Sequence, residues 1–360
     1  MQLLYNFSTT LFSLDKLLRE NIKNAKPYSS ARDEYKGKEG IFLDANENPY
    51  GSAAAGDFNR YPDPLQWEIK EILSNIKRVE PEKIFLGNGS DEPIDLIIRM
   101  VCRPGKDNII ILPPTYGMYE VSAAISDVEI RQVPLTEDYQ LRPEEILKAV
   151  DENTKVIFIC SPNNPTGNIM NKKDVEQILK GFNGIVVVDE AYIDFAPSSS
   201  LLSELDQFPN LIVLQTLSKA WGMAGLRLGM AFASKEIISV YNKIKYPYNI
   251  NIATQQFVKE GLMNILNKEK MVAQILEQRE KLGEELKKLP FVSKVYPSDA
   301  NFLLVKMDKA PKIFEFLIGN KIITRDRSKV RLCEDSIRIS VGTEKENEAL
   351  MKKLSEWKGN

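Results

Sequence analysis

Short apolar segments alternate with amphipathic ones along most of the chain after Ile41, and this alternation restricts the possible folds more than any other feature. An amphipathic helix is predicted after Asp63-Pro64, which we interpret as a cap followed by a first-turn proline. Strands that alternate with helices pair in parallel, so the pattern predicts an α/β fold with a large, doubly wound and mostly parallel sheet. The predicted strands are Lys83–Gly87, Asn108–Leu112, Val156–Cys160, Ile185–Asp189, Leu211–Gln215 and Leu228–Ala233.

The pattern changes after residue 245. One long helical stretch is predicted from Ile252 to Leu289, followed by strands at Asn301–Lys306 and Ile337–Val341 and a terminal helix. A mixed pattern of this kind is typical of a smaller α+β domain. A single helix is also predicted near the start, from Ser13 to Lys23. The predicted parts are an N-terminal segment over 1–40 that packs on the small domain or a partner subunit, a large domain over 41–245 and a small C-terminal domain over 246–360.

The composition excludes several kinds of chemistry. The chain has no histidine, which rules out a Ser-His-Asp triad, a Cys-His pair and any metal site that needs imidazole. The formal net charge of -2 and the lack of a basic run argue against a nucleic-acid partner. Cys102, Cys160 and Cys333 lie in apolar segments, which indicates reduced, buried thiols and a cytoplasmic protein. Neither a signal peptide nor a membrane span is predicted.

Two loops that follow strands are candidate binding elements. The turn over residues 87–92 opens a helix, where free N–H groups can bind an anion, but Glu92 replaces the third glycine of a dinucleotide fingerprint. A plain helix start with Ser90 or Asp91 as N-cap fits the local sequence equally well. The loop Ser161–Gly167 has two prolines around paired asparagines and could fix the amide of Asn164, or it is a turn without function.

Two charged residues also follow buried strands. Asp189 stands where α/β sheets place ligands, although a strand-ending Asp can simply cap the next helix, and the chain has no P-loop. Lys219 follows a strand and the hydroxyl residues Thr216 and Ser218. A desolvated lysine there would have a lowered pKa and could form a Schiff base. The alternative is a surface lysine in a glycine-rich loop.

These elements together carry a resemblance. The strand end Asp189–Tyr192, the segment Thr216–Lys219 and the segment Gly225–Gly229 resemble the fold-type I pyridoxal-phosphate aminotransferases. More narrowly, motifs in the same order and spacing resemble the histidinol-phosphate aminotransferases over roughly Tyr28 to Gly342. Those motifs are Leu43–Pro49, Asn59–Asp63, Pro113–Tyr119, Ser161–Gly167, Arg325-Asp326 and Ile337–Ile339.

The resemblance implies a homodimer that binds pyridoxal 5′-phosphate in active sites shared between subunits. It assigns to Lys219 the covalent link to the cofactor and the transfer of the proton, and to Asp189 the pairing with the ring nitrogen. Tyr192 and Asn164 are expected at the ring hydroxyl and Tyr116 on the ring face. The residues expected at the cofactor phosphate are Ser90, Asp91, Thr216, Ser218, Arg227 and, from the partner subunit, Tyr61.

The resemblance also implies the substrates, a small-molecule amino donor and a 2-oxo acid acceptor. Arg338 is expected to bind the carboxylate of glutamate and, in the other half-reaction, the substrate phosphate. Arg325, Tyr28 and Asn164 are further candidate substrate contacts, although salt bridges and an N-terminal aromatic packed in the fold are alternatives for the first two. The implied activity is amino transfer between histidinol phosphate and 2-oxoglutarate, giving imidazole acetol phosphate and glutamate in histidine biosynthesis.

Three alternatives stay open. An aromatic amino-acid aminotransferase or an amino-acid-phosphate decarboxylase would use the same scaffold and lysine chemistry. A non-catalytic regulator that binds pyridoxal phosphate belongs to another class. Such regulators carry a separate DNA-binding domain, and the roughly 40 residues before the catalytic pattern are too few for one.

Overall fold

The computed structural model describes residues 12–27 and 40–359, and its main feature is a seven-stranded sheet. Across the sheet the order is first, seventh, sixth, fifth, fourth, second and third strand. Only the seventh strand runs antiparallel to its neighbours, so the doubly wound, mostly parallel sheet is confirmed. The strands are β1 (Ile84–Asn88), β2 (Asn108–Ile111), β3 (Glu129–Gln132), β4 (Thr154–Cys160), β5 (Ile185–Asp189), β6 (Leu211–Thr216) and β7 (Leu228–Phe232).

Six of these strands coincide with predicted ones, and β3 was not predicted. The side chains of β4, β5, β6 and β7 are buried along their whole length, because helices cover both faces of the sheet. Strand β3 lies at the edge, three of its four residues are polar, and all four are at least partly exposed. An edge strand of this kind has no continuous apolar run, which is the signal that the prediction used.

Helices cover the two faces of the large sheet. The helices α4 (Asp91–Val101), α5 (Met118–Ile125) and α8 (Lys235–Ile244) pack on one face. The opposite face is covered by α3 (Trp67–Lys77), α6 (Pro143–Lys148) and α7 (Lys172–Gly181). Successive strand residues point to opposite faces, so Ile84 and Leu86 pack in one core and Phe85 in the other.

The start of α3 differs from the prediction. The helix begins at Trp67, and its N-cap is Gln66 in the left-handed region with φ 51°, so the prediction that Pro64 opens the helix was wrong. The Asp63 carboxylate accepts hydrogen bonds from the N–H groups of Leu65 (2.8 Å) and Trp67 (2.7 Å). Asp63 therefore holds a turn that precedes the helix, and the helix itself starts three residues later than predicted.

A second sheet of four antiparallel strands forms beyond residue 290. This sheet has its own apolar core, which includes Leu286, Leu303, Val305 and Ile337. The strands are β8 (Val292–Val295), β9 (Phe302–Met307), β10 (Arg325–Asp326) and β11 (Ser336–Ser340), in the order β10-β11-β9-β8. The helices that follow the large sheet are α9 (Ile252–Met263), α10 (Ile265–Lys287), α11 (Ala310–Gly319) and α12 (Glu344–Glu356).

Two predicted helices are each interrupted. The predicted helix over 252–289 is two helices, because Asn264 leaves the helical region with φ -100° and ψ 42° between α9 and α10. The predicted helix over 13–23 is likewise two short helices, α1 (Leu14–Leu17) and α2 (Glu20–Asn24). Val258 and Leu262 of α9 pack in the core of the large sheet. The domain boundary at 245–246 stays a prediction.

The described part of the chain shows other features that bear on function. All three cysteines are buried free thiols. Across residues 12–27 and 40–359, no helix combines the length and apolar character that a membrane crossing requires. The same ranges contain no group of three acidic or thiol side chains placed to hold a metal ion.

Candidate active site

The carboxyl ends of β4, β5 and β6 and the turn after β1 meet at one edge of the large sheet and form an open cavity. Parallel strands end at the same edge, so Cys160, Asp189 and Thr216 come together although they are distant in the chain. The cavity unites most of the residues that the resemblance points to. They are Ser90, Asp91, Tyr116, Asn164, Asp189, Tyr192, Thr216, Ser218, Lys219 and Arg227.

Asp189 forms the floor of the cavity. The residue is 2% exposed, and its Oδ2 accepts a hydrogen bond of 2.8 Å from the hydroxyl of Tyr119. Oδ1 accepts the N–H of Ala191 at 3.0 Å, but the N-cap of the next helical turn is Tyr192, so Asp189 does not cap a helix. Burial raises the pKa of Asp189 to about 6. The carboxylate is a buried anion suited to a cationic partner.

Lys219 extends into the cavity from the loop after β6. Its Nζ lies 5.5 Å from the ring centroid of Tyr192. Partial burial and then the positive charge of Arg338 lower the pKa of Lys219. The residue remains accessible to solvent through the open mouth of the cavity, which differs from the dry environment that the sequence suggests. A group bound in the cavity would supply the missing cover.

The walls of the cavity are aromatic and amide side chains. The Tyr116 hydroxyl donates to Asp91 Oδ1 at 3.1 Å, and the buried Tyr192 packs edge-on against Phe302, with ring centroids 5.1 Å apart. The side chain of Asn163 holds the loop by donating to the carbonyl oxygen of Pro114 at 2.9 Å. The neighbouring Asn164 lines the cavity.

One end of the cavity is a cup of hydrogen-bond donors formed by Ser90, Thr216, Ser218 and Arg227. Ser90 is the N-cap of α4, and its hydroxyl makes no capping hydrogen bond. The first turn of a helix presents N–H groups without partners inside the helix, and these groups attract anions. Arg227 Nη2 lies 3.6 Å from the carboxylate of Asp91, which keeps the guanidinium at the edge of the cup. We call these four residues the anion cup.

The anion cup depends on a close approach at Gly89. This residue has φ +75°, and a Cβ atom there would lie 2.6 Å from Nη2 of Arg227. Arg227 itself has a positive φ of 52°. Only a glycine at position 89 allows the guanidinium to lie against the turn.

A second group of cations lies on the small sheet. Arg338 of β11 pairs directly opposite Arg325 of β10, and Arg327 follows at the next alternate position. Nε of Arg327 and Nε of Arg338 are buried and make no hydrogen bond within the described residues. Burial lowers the pKa of both guanidinium groups. The positive charges of Arg338 and Arg325 lower the pKa of Arg327 further. We call these three residues the arginine face.

The arginine face adjoins the cavity. Arg338 Nη1 donates to Oδ1 of Asn164, and its guanidinium carbon lies 5.2 Å from the ring centroid of Phe302. Like charges placed opposite each other on paired strands are destabilising, as Arg325 and Arg338 are here, and the buried Nε atoms of Arg327 and Arg338 have no hydrogen-bond partner among the described residues. The arrangement therefore favours an anionic ligand beside Lys219.

Comparison with known proteins agrees with this geometry. The family model described as aminotransferase class I and II matches residues 34–354. The chain belongs to the class I and II aminotransferase family. This assignment confirms the resemblance seen in the motifs.

Two relatives within this family are similar over nearly their whole length. The histidinol-phosphate aminotransferase of Cytophaga hutchinsonii is 63% identical over 346 residues, which is 96% of this chain and 99% of the relative. That of Bacteroides thetaiotaomicron is 52% identical over 348 residues, again 96% of this chain and 99% of the relative. The crystal structure of the Sinorhizobium meliloti histidinol-phosphate aminotransferase in complex with pyridoxal-5′-phosphate is 26% identical, with a TM-score of 0.78 over 87% of this chain and 89% of that chain.

Among the described residues proposed from the resemblance, Tyr61, Arg325 and Arg338 do not line the cavity, although Arg338 adjoins it through Asn164. Tyr61 is 51% exposed and stacks on Tyr248 with ring centroids 4.5 Å apart. Arg325 lies on the arginine face, on an exposed strand. Tyr28 falls outside the described residues.

Sequence reasoning missed two residues of the site. Tyr119 lies in the first turn of α5, three residues after Tyr116, and its hydroxyl donates to Asp189. Its only sequence signal is its place at the end of the Pro113–Tyr119 motif. Arg327 is alternate to Arg325, and strand alternation could have placed both on one face if β10 had been predicted.

Proposed function

We propose that this aminotransferase moves an amino group from histidinol phosphate to 2-oxoglutarate, giving imidazole acetol phosphate and glutamate in histidine biosynthesis. The observation that carries the proposal is the arginine face beside Lys219, with two buried Nε groups that have no partner among the described residues. Relatives named for this activity, 63% and 52% identical, support the same conclusion.

The residues of the cavity fit pyridoxal phosphate as cofactor. The donor set contains an amine at Lys219, a buried carboxylate at Asp189 and the anion cup at the opposite end. Those groups match, in chemical type, an aldehyde, a ring nitrogen that binds a proton and a phosphate. Tyr116, Tyr192 and Asn164 would hold the ring between them. The Sinorhizobium meliloti relative, solved with this cofactor, supports the fit.

The mechanism assigns a separate task to each of these side chains. When bound, pyridoxal phosphate supplies an electron sink for the carbon that bears the amino group. Lys219 Nζ would take the proton from that carbon and give it up again later in the amino transfer, since no histidine is present to serve as base. The lowered pKa of Lys219 increases the share of neutral amine that can accept the proton. Asp189 becomes anionic above pH about 6 and holds the proton of the ring nitrogen.

The arginine face explains how one site accepts two different substrates. Histidinol phosphate ends in a phosphate with close to two negative charges at neutral pH, whereas glutamate presents a carboxylate with one. The planar fork of Arg338 can form paired hydrogen bonds with either group. Arg325 and Arg327 add charge that favours the more highly charged phosphate.

A substrate panel tests the proposal against its alternatives. The holoenzyme is mixed in single-turnover experiments with histidinol phosphate, glutamate, phenylalanine or threonine phosphate, and the absorbance of the bound cofactor is followed. We expect conversion with histidinol phosphate and glutamate to be at least about 10-fold faster than with phenylalanine. Faster conversion of phenylalanine would favour an aromatic aminotransferase. Release of carbon dioxide from threonine phosphate would favour a decarboxylase, and no conversion of any substrate would favour a regulator.

The proposal includes a homodimer with shared active sites. Tyr61 stacks on Tyr248 at the surface, and further exposed apolar side chains occur on α9 and α10, including Phe257 (55% exposed), Met263 (74%) and Leu266 (78%). A large exposed apolar surface is typical of an interface between subunits. The three buried thiols support a cytoplasmic location for the enzyme.

Subunit mixing tests the shared site. The variants Tyr61→Ala and Lys219→Ala are mixed under conditions that exchange subunits. If Tyr61 of the partner subunit serves each site, heterodimers contain one site without either substitution, and part of the activity returns. A monomer in sedimentation, or no recovery after proven exchange, would contradict the shared site.

A further inference from the structure

We propose that Tyr119 is a positioning residue that acts through Asp189, fixing the orientation and the negative charge of the carboxylate that pairs with the cofactor ring. This inference rests on the proposed function, because Asp189 must face the ring nitrogen for Tyr119 to influence the cofactor. The chain has no histidine, and the side-chain donor at this carboxylate is the phenol hydroxyl of Tyr119.

The geometry holds the phenol group firmly. Tyr119 is completely buried, and its hydroxyl lies 2.8 Å from Asp189 Oδ2. Its ring stacks on Phe158 with centroids 4.6 Å apart and an interplanar angle of 12°. Tyr116 contacts the same ring edge-on at 5.6 Å. Tyr119 is not among the residues that line the cavity, so its effect on a bound ring passes through Asp189.

The hydrogen bond opposes the effect of burial on the carboxylate. Burial raises the pKa of Asp189, while the hydrogen bond from Tyr119 acts in the opposite direction. Burial also raises the pKa of Tyr119 well above its ordinary value, so the phenol remains a donor at every working pH. Without the hydroxyl, Asp189 would keep a proton at higher pH and bind a cationic ring less well. The other titratable groups that face Asp189 are Asp91, Tyr116, Cys160, Tyr192 and Lys219.

The same core contains a matched control. Tyr241 is also completely buried on this side of the sheet, and its hydroxyl donates to the carbonyl oxygen of Pro93 at 3.0 Å. Its ring stacks on Phe85 with centroids 4.8 Å apart. Tyr241→Phe therefore removes a buried tyrosine hydrogen bond of similar geometry and leaves Asp189 untouched.

The experiment measures cofactor binding by the full-length apoenzyme, not catalysis. Wild type, Tyr119→Phe and Tyr241→Phe are titrated with pyridoxal phosphate and with its carbocyclic analogue, which has carbon in place of the ring nitrogen. Dissociation constants are obtained from quenching of tryptophan fluorescence. We expect Tyr119→Phe to weaken binding of pyridoxal phosphate about 10- to 100-fold, the range for a hydrogen bond to a charged group. Binding of the analogue should change less than about 3-fold.

The pH dependence gives a second readout that a structural role would not change. Binding of pyridoxal phosphate weakens as the pH falls and Asp189 takes up a proton. In Tyr119→Phe this weakening should begin at higher pH than in wild type, whereas Tyr241→Phe should follow the wild-type curve. In an Asp189→Asn background, Tyr119→Phe should cause no further loss, because the charge on which it acts is gone.

The possible failures are distinguishable. Equal losses for both cofactors in Tyr119→Phe, or an unchanged pH curve, would overturn the inference and leave Tyr119 as a packing residue. Equal affinity of wild type for the two cofactors would show that Asp189 does not pair with the ring nitrogen, and that part of the proposed function would then fail. Thermal unfolding of the two tyrosine variants checks the fold, and comparing two cofactors on one protein cancels a general loss of stability.

Discussion

Two regions of the active site attract anions, the anion cup within the cavity and the arginine face beside it, and they differ in how their charge is balanced. In the anion cup, Arg227 lies 3.6 Å from the carboxylate of Asp91. On the arginine face, Arg327 and Arg338 each bury an Nε without a hydrogen-bond partner among the described residues. Asp91 balances the charge of the anion cup within the protein, whereas the buried Nε groups of the arginine face have no such partner among the described residues and favour an anionic ligand.

This difference matches two kinds of ligand. A cofactor that stays bound through many turnovers needs a site that keeps its shape, and the paired Asp91 and Arg227 provide one. Substrates that alternate between phosphate and carboxylate need a site that can adapt to both. Unbalanced arginines destabilise the free protein, and an arriving anion of either kind relieves that cost.

The largest expected effect is that of replacing Lys219, which distinguishes the role of the lysine from that of the anion cup. Lys219→Ala should lower turnover by more than about 10⁴-fold, since it removes both the covalent link and the base. The cup should still hold cofactor noncovalently, which absorbance of the purified variant would show. Borohydride reduction of wild type followed by peptide mapping provides the control. Attachment of the cofactor to a different lysine would contradict the assignment.

Arg338→Lys tests the fork on the arginine face. Lysine keeps the charge but cannot form paired hydrogen bonds in one plane, so the half-reactions with histidinol phosphate and with glutamate should both slow by about 10²-fold. Single-turnover absorbance changes measure each half-reaction separately. Lys353 forms only an exposed pair on α12, and Lys353→Ala serves as a control variant that should leave both rates unchanged. A loss confined to one substrate would show that Arg338 does not serve both.

Asp189→Asn tests the cost of an unbalanced charge on the cavity floor. The pKa of Asp189 in the folded protein, about 6, lies above the ordinary value of about 3.9. Ionisation of Asp189 therefore lowers the free energy of unfolding progressively as the pH rises from about 4 to about 6. Asparagine cannot ionise, so the free energy of unfolding of the apoprotein variant, relative to that of wild type, should rise by roughly 2–3 kcal/mol when the pH is raised from 3.5 to 7.5. Urea unfolding at both pH values measures the change. Asp91→Asn, which removes a balanced charge, should show no such gain.

The smallest expected effects are those of replacing Arg325 or Arg327 on the arginine face. Arg327→Ala and Arg325→Ala should each slow the histidinol-phosphate half-reaction by about 10-fold and the glutamate half-reaction by less, because the phosphate carries more charge. The same single-turnover assay compares the two substrates in each variant. Arg331, beyond the face on the same loop, offers a control as Arg331→Ala. Equal losses for both substrates would remove the phosphate-specific role.

The sequence alone determined the large sheet and the chemistry at its edge. Strands β4, β5 and β6 are continuous apolar runs because both their faces are covered, and such runs can be recognised without a structure. Parallel strands end at one edge, so Asp189 and Lys219 could be expected in one site. The motif resemblance added the family, which the comparisons confirm.

Only the tertiary structure decided the features that depend on partners distant in the chain. Tyr119 contacts Asp189, which lies 70 positions further along the chain, and no local pattern marks a hydroxyl that reaches a buried carboxylate. Arg327 became part of the site because the short β10 pairs with β11. The break at Asn264 and the polar edge strand β3 follow from packing, which overrides the periodicity of a short segment. Periodicity reports which side of an element is buried, whereas a site depends on which elements meet.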